Sequence, residues 1–529
     1  MPKRIQYSLR FLILAIIPLI FLFTGLHLTG IFGPVSLRHG DPDYIYLLTG
    51  LSMGKLQFDI GHVDNPGTPL QIIVAIVTRI THALAGKGDY FTDVFTRPDF
   101  YLRAVITTNL VLIAVAMFYL AYKLRLLIKN DILLMLLQLS FFTGWSVLYD
   151  TTIVSPEGLI YIPVSLLIVQ LVKYLYSSSE KLSYVELLKF SLICGFGLSI
   201  KLDYFPLFFV PIFILKGWKQ FAFYLGASFV SFVLFAFTIV KRYLYFYRWV
   251  TGLLLHSGKY GMGDTNVINW HDFVKNIVSL FKFYHTLYIL LGLVIILLVF
   301  SKLKIIKSEN ARADKILYGL ILTISFHTIL VAKHFGMSYI VPSVYLIPFL
   351  IFLIVLNYSS NEFSRYAISA ILICFVFIKF YKEYNGVLQW KEPQIALKAE
   401  TSKEIRKLVG SKPFMIMDQP YNFYFHESPL LFGWFFQGHY KALYKSELEK
   451  LYPATYIFDG GPKKFFLWGD LYTETDILKK HPEIFLFING SKAGPYSKIL
   501  DNIREMAEVS CVYDNKDTNN KLYKIVDSK

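Results

Sequence analysis

The run from Leu9 to Ile31 is almost wholly apolar and long enough to cross a bilayer, and runs of that kind recur along most of the chain. Backbone N–H and C=O groups inside lipid must be satisfied within the spanning element, so such runs fold as helices packed into a bundle. Candidate spans fall near 9–31, 101–121, 132–149, 157–176, 186–200, 204–216, 220–240, 286–301, 315–332, 340–357 and 365–381, about eleven crossings. The composition agrees: 55% of the 529 residues are hydrophobic, 17% are aromatic and 17% charged, more apolar than a soluble core requires. The fold class expected is therefore an α-helical polytopic membrane protein.

The net charge of +16 is spread over the ends of apolar runs rather than gathered into a stripe, which favours membrane topology and anionic lipid over nucleic acid. Lys3, Arg4 and Arg10 place the N-terminus in the cytoplasm, and the basic connections 122–131, 177–181, 216–219 and 301–315 follow it there. The opposite, extracytoplasmic face then receives 33–99, the Asp150 turn, 201–203, 241–285, 333–339 and the tail. The expected location is the cell (inner or plasma) membrane. Cys194, Cys374 and Cys511 show neither disulfide nor metal spacing.

Within the first outer loop, Tyr44, Leu47, Leu48 and Leu51 recur at helical spacing after Asp41 and Pro42, and Leu70, Ile73, Val74 and Val77 do so after Thr68 and Pro69. Both stretches read as helices lying along the membrane surface, capped by Asp41 and Thr68. From about Gly386 the character changes to short β-rich runs, 414–417, 455–458 and 484–488, a helix at 497–506, and two runs around 514–520. The expected division is a transmembrane domain, 1–384, and a small extracytoplasmic α/β domain, 385–529.

Four strings concentrate polar chemistry on the outer face. HGDPDYIYL, 39–47, holds Asp41 and Asp43; each carboxylate reads as a helix cap or as a base for an acceptor hydroxyl. GHVDNPGTPLQ, 61–71, holds His62 and Asp64 ahead of a turn. GFGLSIKLDYFP, 195–206, places Lys201 and Asp203 between two short spans, as an ion pair, a snorkelling lysine or a phosphate ligand. VAKHFGMSYIVPSVYLIP, 331–348, offers Lys333, His334 and Tyr339 to a phosphate or to lipid headgroups. The loop 241–285 carries GKYGMGDTN, which lacks the ending of a phosphate-binding P-loop and reads as a cover.

In this order, DPDY (41–44), DNPGTPL (64–70), GLSIKLDYFP (197–206) and KHFGMSYIVP (333–342) resemble the GT-C membrane glycosyltransferases, whose members include the aminoarabinose transferases of lipid A and the protein O-mannosyltransferases. The resemblance implies transfer of a sugar, with inversion, from a polyprenyl-phosphate carrier to a hydroxyl on a lipid, glycan or protein acceptor. It makes Asp41 the catalytic carboxylate assisted by Asp43, Lys201, Lys333 and His334 the ligands of the carrier phosphate, and Tyr339 a lining residue, with His62 and Asp64 in the same substrate site. No cofactor is required by it. Some members use a divalent metal, for which Asp150 and Glu157 are the candidate ligands. Here the family's acid pair is split by Pro42, and Asn65 stands where a histidine or lysine is usual. The alternatives are a transporter or flippase of a lipid-linked sugar, and a polymerase or ligase of surface polysaccharide. The expected partners are the donor, the acceptor and membrane lipid, without nucleic acid.

Overall fold

The computed structural model describes every residue except 1–2, 39, 257–264, 360, 419–421, 460–462, 491–494 and 528–529. The expected cover GKYGMGDTN therefore lies largely outside the described residues. Among those described, nine helices are long and apolar enough to cross a membrane: Arg10–Ile31, Thr68–Ala85, Pro98–Leu124, Pro156–Leu175, Trp218–Phe235, His285–Lys302, Ala311–Lys333, Met337–Tyr358 and Glu362–Val409. The chain is a multi-pass helical membrane protein.

The difference from eleven has identifiable causes. Segment 132–149 is a helix Asp131–Leu137, a 3₁₀ turn Leu139–Phe142 and a short helix Trp145–Tyr149, broken at Gly144, whose backbone is extended. Segment 204–216 is a 3₁₀ helix Leu202–Phe208 running into Phe209–Ile212. Tyr184–Ile200 is helical but just short of a full crossing. Conversely, Thr68–Ala85, expected to lie on the surface, is apolar enough to span.

The chain divides into two compact units. The first, 1–28, 63–72 and 106–386, holds most of the helices. Its helix Tyr184–Ile200 opens on a capping box between Ser183 and Glu186, which satisfies two first-turn donors. It packs tightly on Trp218–Phe235 because Gly195 has no side chain: a Cβ there would come within 2.5 Å of the Phe232 nitrogen. Two residues later a Cβ on Gly197 would strike the Tyr204 ring at 2.5 Å. The glycines of GFGLSIKLDYFP are thus explained by packing, which fixes where the helix stops and Lys201 begins.

The second unit comprises 29–62, 73–105 and 387–529. It contains a seven-stranded mixed sheet of β1 (Phe414–Met417), β2 (Thr455–Asp459), β3 (Lys464–Leu467), β4 (Asp470–Tyr472), β5 (Glu483–Ile488), β6 (Ala507–Asn515) and β7 (Asn520–Asp527), in the order β4-β3-β2-β1-β5-β7-β6. β1 lies between β2 and β5, parallel to both, and every residue of it is buried; the outer pairings are antiparallel. Met415, Tyr456, Phe465, Leu486, Ile503 and Ile525 fill the core under the sheet.

In the same unit, helix Asp43–Gly54 is buried on all sides from Asp43 to Met53. It is a core helix rather than a surface one. Helix Glu427–Phe435 crosses it closely, since a Cβ on Gly433 would lie 2.6 Å from the Tyr44 carbonyl oxygen. Tyr444 donates to the Leu48 carbonyl at 2.7 Å, and Gln437 reaches the Ile45 carbonyl at 3.4 Å.

Candidate functional site

Side chains able to do chemistry sit where helices break. In the first unit four such breaks bring Asp150, Glu157, Lys201 and the turn Ser338–Tyr339 together. Asp150 opens a 3₁₀ turn after Trp145–Tyr149, Glu157 lies in the four-residue helix Pro156–Leu159, Lys201 is the extended residue after Tyr184–Ile200, and Tyr339 belongs to the 3₁₀ turn Met337–Ile340. Irregular backbone at such places is tolerated when protein buries it.

The Lys201 ammonium, 2% exposed as a residue, lies 2.6 Å from Glu157 Oε1 and 2.9 Å from Asp203 Oδ2. It also sits 4.4 Å from the centroid of the Tyr339 ring, a cation–π contact. Ser338 donates to Asp150 Oδ1 at 3.3 Å, and Tyr345 donates to the Glu157 carbonyl at 3.1 Å. Glu157 Oε2 and Asp150 Oδ2 are buried with no hydrogen-bond partner among the described residues.

One ammonium thus faces three carboxyl groups. Burial, and next the neighbouring Glu157, push the Asp150 carboxyl well above the usual carboxylate range. The cluster is buried carboxyl oxygen steadied by a single cation.

Lys201 is therefore engaged by two carboxylates and would have to exchange one to hold a phosphate. Lys333 and His334 sit at a neighbouring helix end: the Lys333 ammonium donates to the Leu254 carbonyl, and His334 Nε2 to the Leu253 carbonyl at 2.6 Å. Both cap the C-terminal end of helix Tyr243–Leu255, where free carbonyls and the negative end of the helix dipole attract such donors. Asp64, half-buried, also belongs to the first unit. Among the described residues no group of three or more His, Cys, Asp and Glu side chains is placed to hold a metal ion, and Glu157 Oε1 is occupied by Lys201.

Asp41, Asp43 and His62 belong to the second unit. The cap position of helix Asp43–Gly54 is held by Pro42, because the helix starts at Asp43. Asp43 is fully buried, whereas Asp41 remains half-exposed. His62 stands edge-on to Tyr46 and Phe436, with ring centroids at 6.1 and 5.7 Å. In the first unit, the Thr68 hydroxyl at a helix start donates to the Phe235 carbonyl at 2.8 Å.

Ser338 and Tyr345 were not legible as site residues: a serine in a turn and a tyrosine in an apolar run carry no spacing signal. Asp203 was visible as the partner of Lys201.

No family model matches the chain, and no curated protein matches it. Among solved structures, ArnT from Cupriavidus metallidurans bound to undecaprenyl phosphate aligns at 9% identity over 97% of this chain and 97% of the other, with a TM-score of 0.48. The apo state of the same protein aligns at 10% identity over 99% and 98%, with a TM-score of 0.49.

Proposed function

We propose that the chain is a membrane glycosyltransferase that moves a sugar from a polyprenyl-phosphate carrier to a hydroxyl acceptor on the outer face, by one displacement with inversion. The observation that carries the reading is the contrast between its two first-loop carboxylates: Asp41 is half-exposed, while Asp43 is closed off in the first turn of the helix it begins. An acid that stays reachable has the access a base needs to take a proton from an incoming alcohol.

Asp43 sits in the first turn of the helix that follows Asp41. In the first unit, Lys201 holds Glu157 and Asp203 in place, leaving Glu157 Oε2 and Asp150 Oδ2 open to further hydrogen bonds. Carboxyl oxygens so placed suit sugar hydroxyls. Lys201 reaches a carrier phosphate only by giving up one of its carboxylates, while Tyr339 closes over it.

The test is mass analysis of cell-surface glycans and lipids in cells lacking the chain and complemented with variants. Wild type restores a sugar-bearing species. Asp41→Asn, expressed and inserted normally, should restore it about 10²–10⁴-fold more slowly. Full restoration by Asp41→Asn removes Asp41 from the chemistry, and an unchanged surface in the deleted cells removes the transferase reading altogether.

A further inference from the structure

The second unit contains an open-mouthed cleft of about 340 Å³ that plays no part in the reaction above. Leu37 and Ala399 form an apolar wall, Phe425 and His426 another, and Lys403 and Arg406 project along the last turns of the helix Glu362–Val409. This volume is at the small end of the range for small-molecule sites, and the mixture of apolar walls with a few directed polar groups is the usual composition of one.

Charge bookkeeping identifies what the cleft is short of. Arg406 donates through Nη2 to both oxygens of Glu427, a side chain only 2% exposed, and its guanidinium lies 4.8 Å from the Phe425 ring centroid. Its Nε and Nη1 groups make no hydrogen bond among the described residues, although a third of the side chain is open to solvent. His426 uses Nε2 on the Tyr452 hydroxyl at 2.8 Å, and its Nδ1 is 3.7 Å from Glu427. Burial pushes the proton affinity of that imidazole down, against the attraction of Glu427. Lys403 is exposed and has no ion pair among the described residues. Glu427 offsets Arg406, so the lining carries one unmatched positive charge and a set of unspent guanidinium donors.

We propose that this cleft binds a small organic anion about the size of a hexose phosphate, its phosphate or carboxylate held by Lys403 and the free N–H groups of Arg406, its carbon skeleton against Leu37, Ala399 and Phe425. A charge-assisted contact to a phosphate from two cations is the strong kind of hydrogen bond. The same chemistry is offered by a soluble sugar phosphate and by an anionic lipid headgroup.

Full-length protein in phosphatidylcholine nanodiscs is titrated by calorimetry with glucose 6-phosphate, methyl glucoside and inorganic phosphate, and the first titration is repeated in nanodiscs containing phosphatidylglycerol. Saturable binding of glucose 6-phosphate is expected, at least about tenfold weaker in Lys403→Ala, restored to within about threefold in Lys403→Arg and absent in Lys403→Glu. Lys403 is exposed, so these variants fold. Weaker apparent binding in the phosphatidylglycerol discs identifies a headgroup site, and unchanged binding a soluble ligand; either supports the proposal. Equal affinity of wild type and Lys403→Ala overturns it, as does binding of methyl glucoside or of bare phosphate as tightly as glucose 6-phosphate. Binding is read without turnover, so its failure leaves the transferase reading standing, and the reverse holds as well.

Discussion

Two buried ion-pair systems, one in each unit, solve the same problem in opposite ways. In the second unit Arg406 donates through one guanidinium nitrogen to both oxygens of Glu427, one cation to one anion, with both carboxylate oxygens satisfied. Burial alone would raise the Glu427 carboxyl, but His426 and Arg406 outweigh it and hold the group below its ordinary value. In the first unit Lys201, a point charge on a flexible stem, meets Glu157 and Asp203 with Asp150 close by, and two carboxyl oxygens stay unspent. A balanced pair fastens elements together. A surplus of buried acid does nothing for stability that a single partner would not do better, which is the reason to look for its use in chemistry.

The largest effect expected is from stranding the acids. Lys201→Met leaves two buried carboxylates without a counter-ion and should cost about 3–5 kcal/mol in detergent unfolding, and Arg406→Met should cost a comparable amount by stranding Glu427. Neutralising each whole system separates them. Arg406→Met with Glu427→Gln should return to within about 1 kcal/mol of wild type and keep sugar transfer, whereas Lys201→Met with Glu157→Gln and Asp203→Asn should regain stability but not transfer. Wild-type transfer by the triple variant would make the first cluster a fastening like the second, and the contrast would collapse.

The pH response sharpens the comparison at intermediate size. Burial lifts Asp418, in the second unit, to about 7, against the stabilising hydrogen bond from Ser428 and the nearby charge of Lys398. A carboxyl whose folded value is raised binds more protons folded than unfolded. Its contribution is therefore present near pH 4 and declines as pH climbs to about 7, by on the order of 4 kcal/mol. Asp418→Asn should flatten that decline in unfolding experiments between pH 4 and 8. Asp150→Asn should flatten the response of the first unit in the same direction, since its carboxyl is raised by burial and by Glu157. A decline of unchanged slope in Asp418→Asn would show that water reaches the carboxyl.

How much of this was legible follows from what each signal measures. The bundle was readable because apolar length is a local property, and strands β1, β2 and β5 because short β-branched and aromatic runs between polar turns are local too. The hairpin β3–β4 was missed: its Lys464–Leu467 and Asp470–Tyr472 are too short to establish alternation. Helix Asp43–Gly54 was found by its spacing but misplaced, because the residues that cover its polar side, Gln437 and Tyr444, lie some 390 positions away in the chain. Lys201 and Asp203 could be paired from sequence since they are neighbours, whereas Glu157 joins them across |i−j| = 44 and Ser338 meets Asp150 across 188. The bonds of Lys333 and His334 to the Leu254 and Leu253 carbonyls could not be read, because charge and location are visible in a sequence and partners some 80 positions away are not.

The smallest effects come from two serines that make the same bond under different conditions. Ser428 donates to Asp418 Oδ2 at 2.7 Å where both residues are buried, and Ser338 donates to Asp150 Oδ1 at 3.3 Å from a half-buried turn. Ser428→Ala removes a short bond to a group that water cannot reach, and should cost about 1–2 kcal/mol while moving the Asp418 titration still higher. Ser338→Ala removes a long, and therefore weak, bond. It should cost no more than about 0.5 kcal/mol in unfolding, yet free the turn that holds Tyr339 over Lys201, so the donor KM should rise while Ser428→Ala leaves it alone. If the two variants lose equal stability and neither shifts KM, the acids of the first unit are as structural as that of the second.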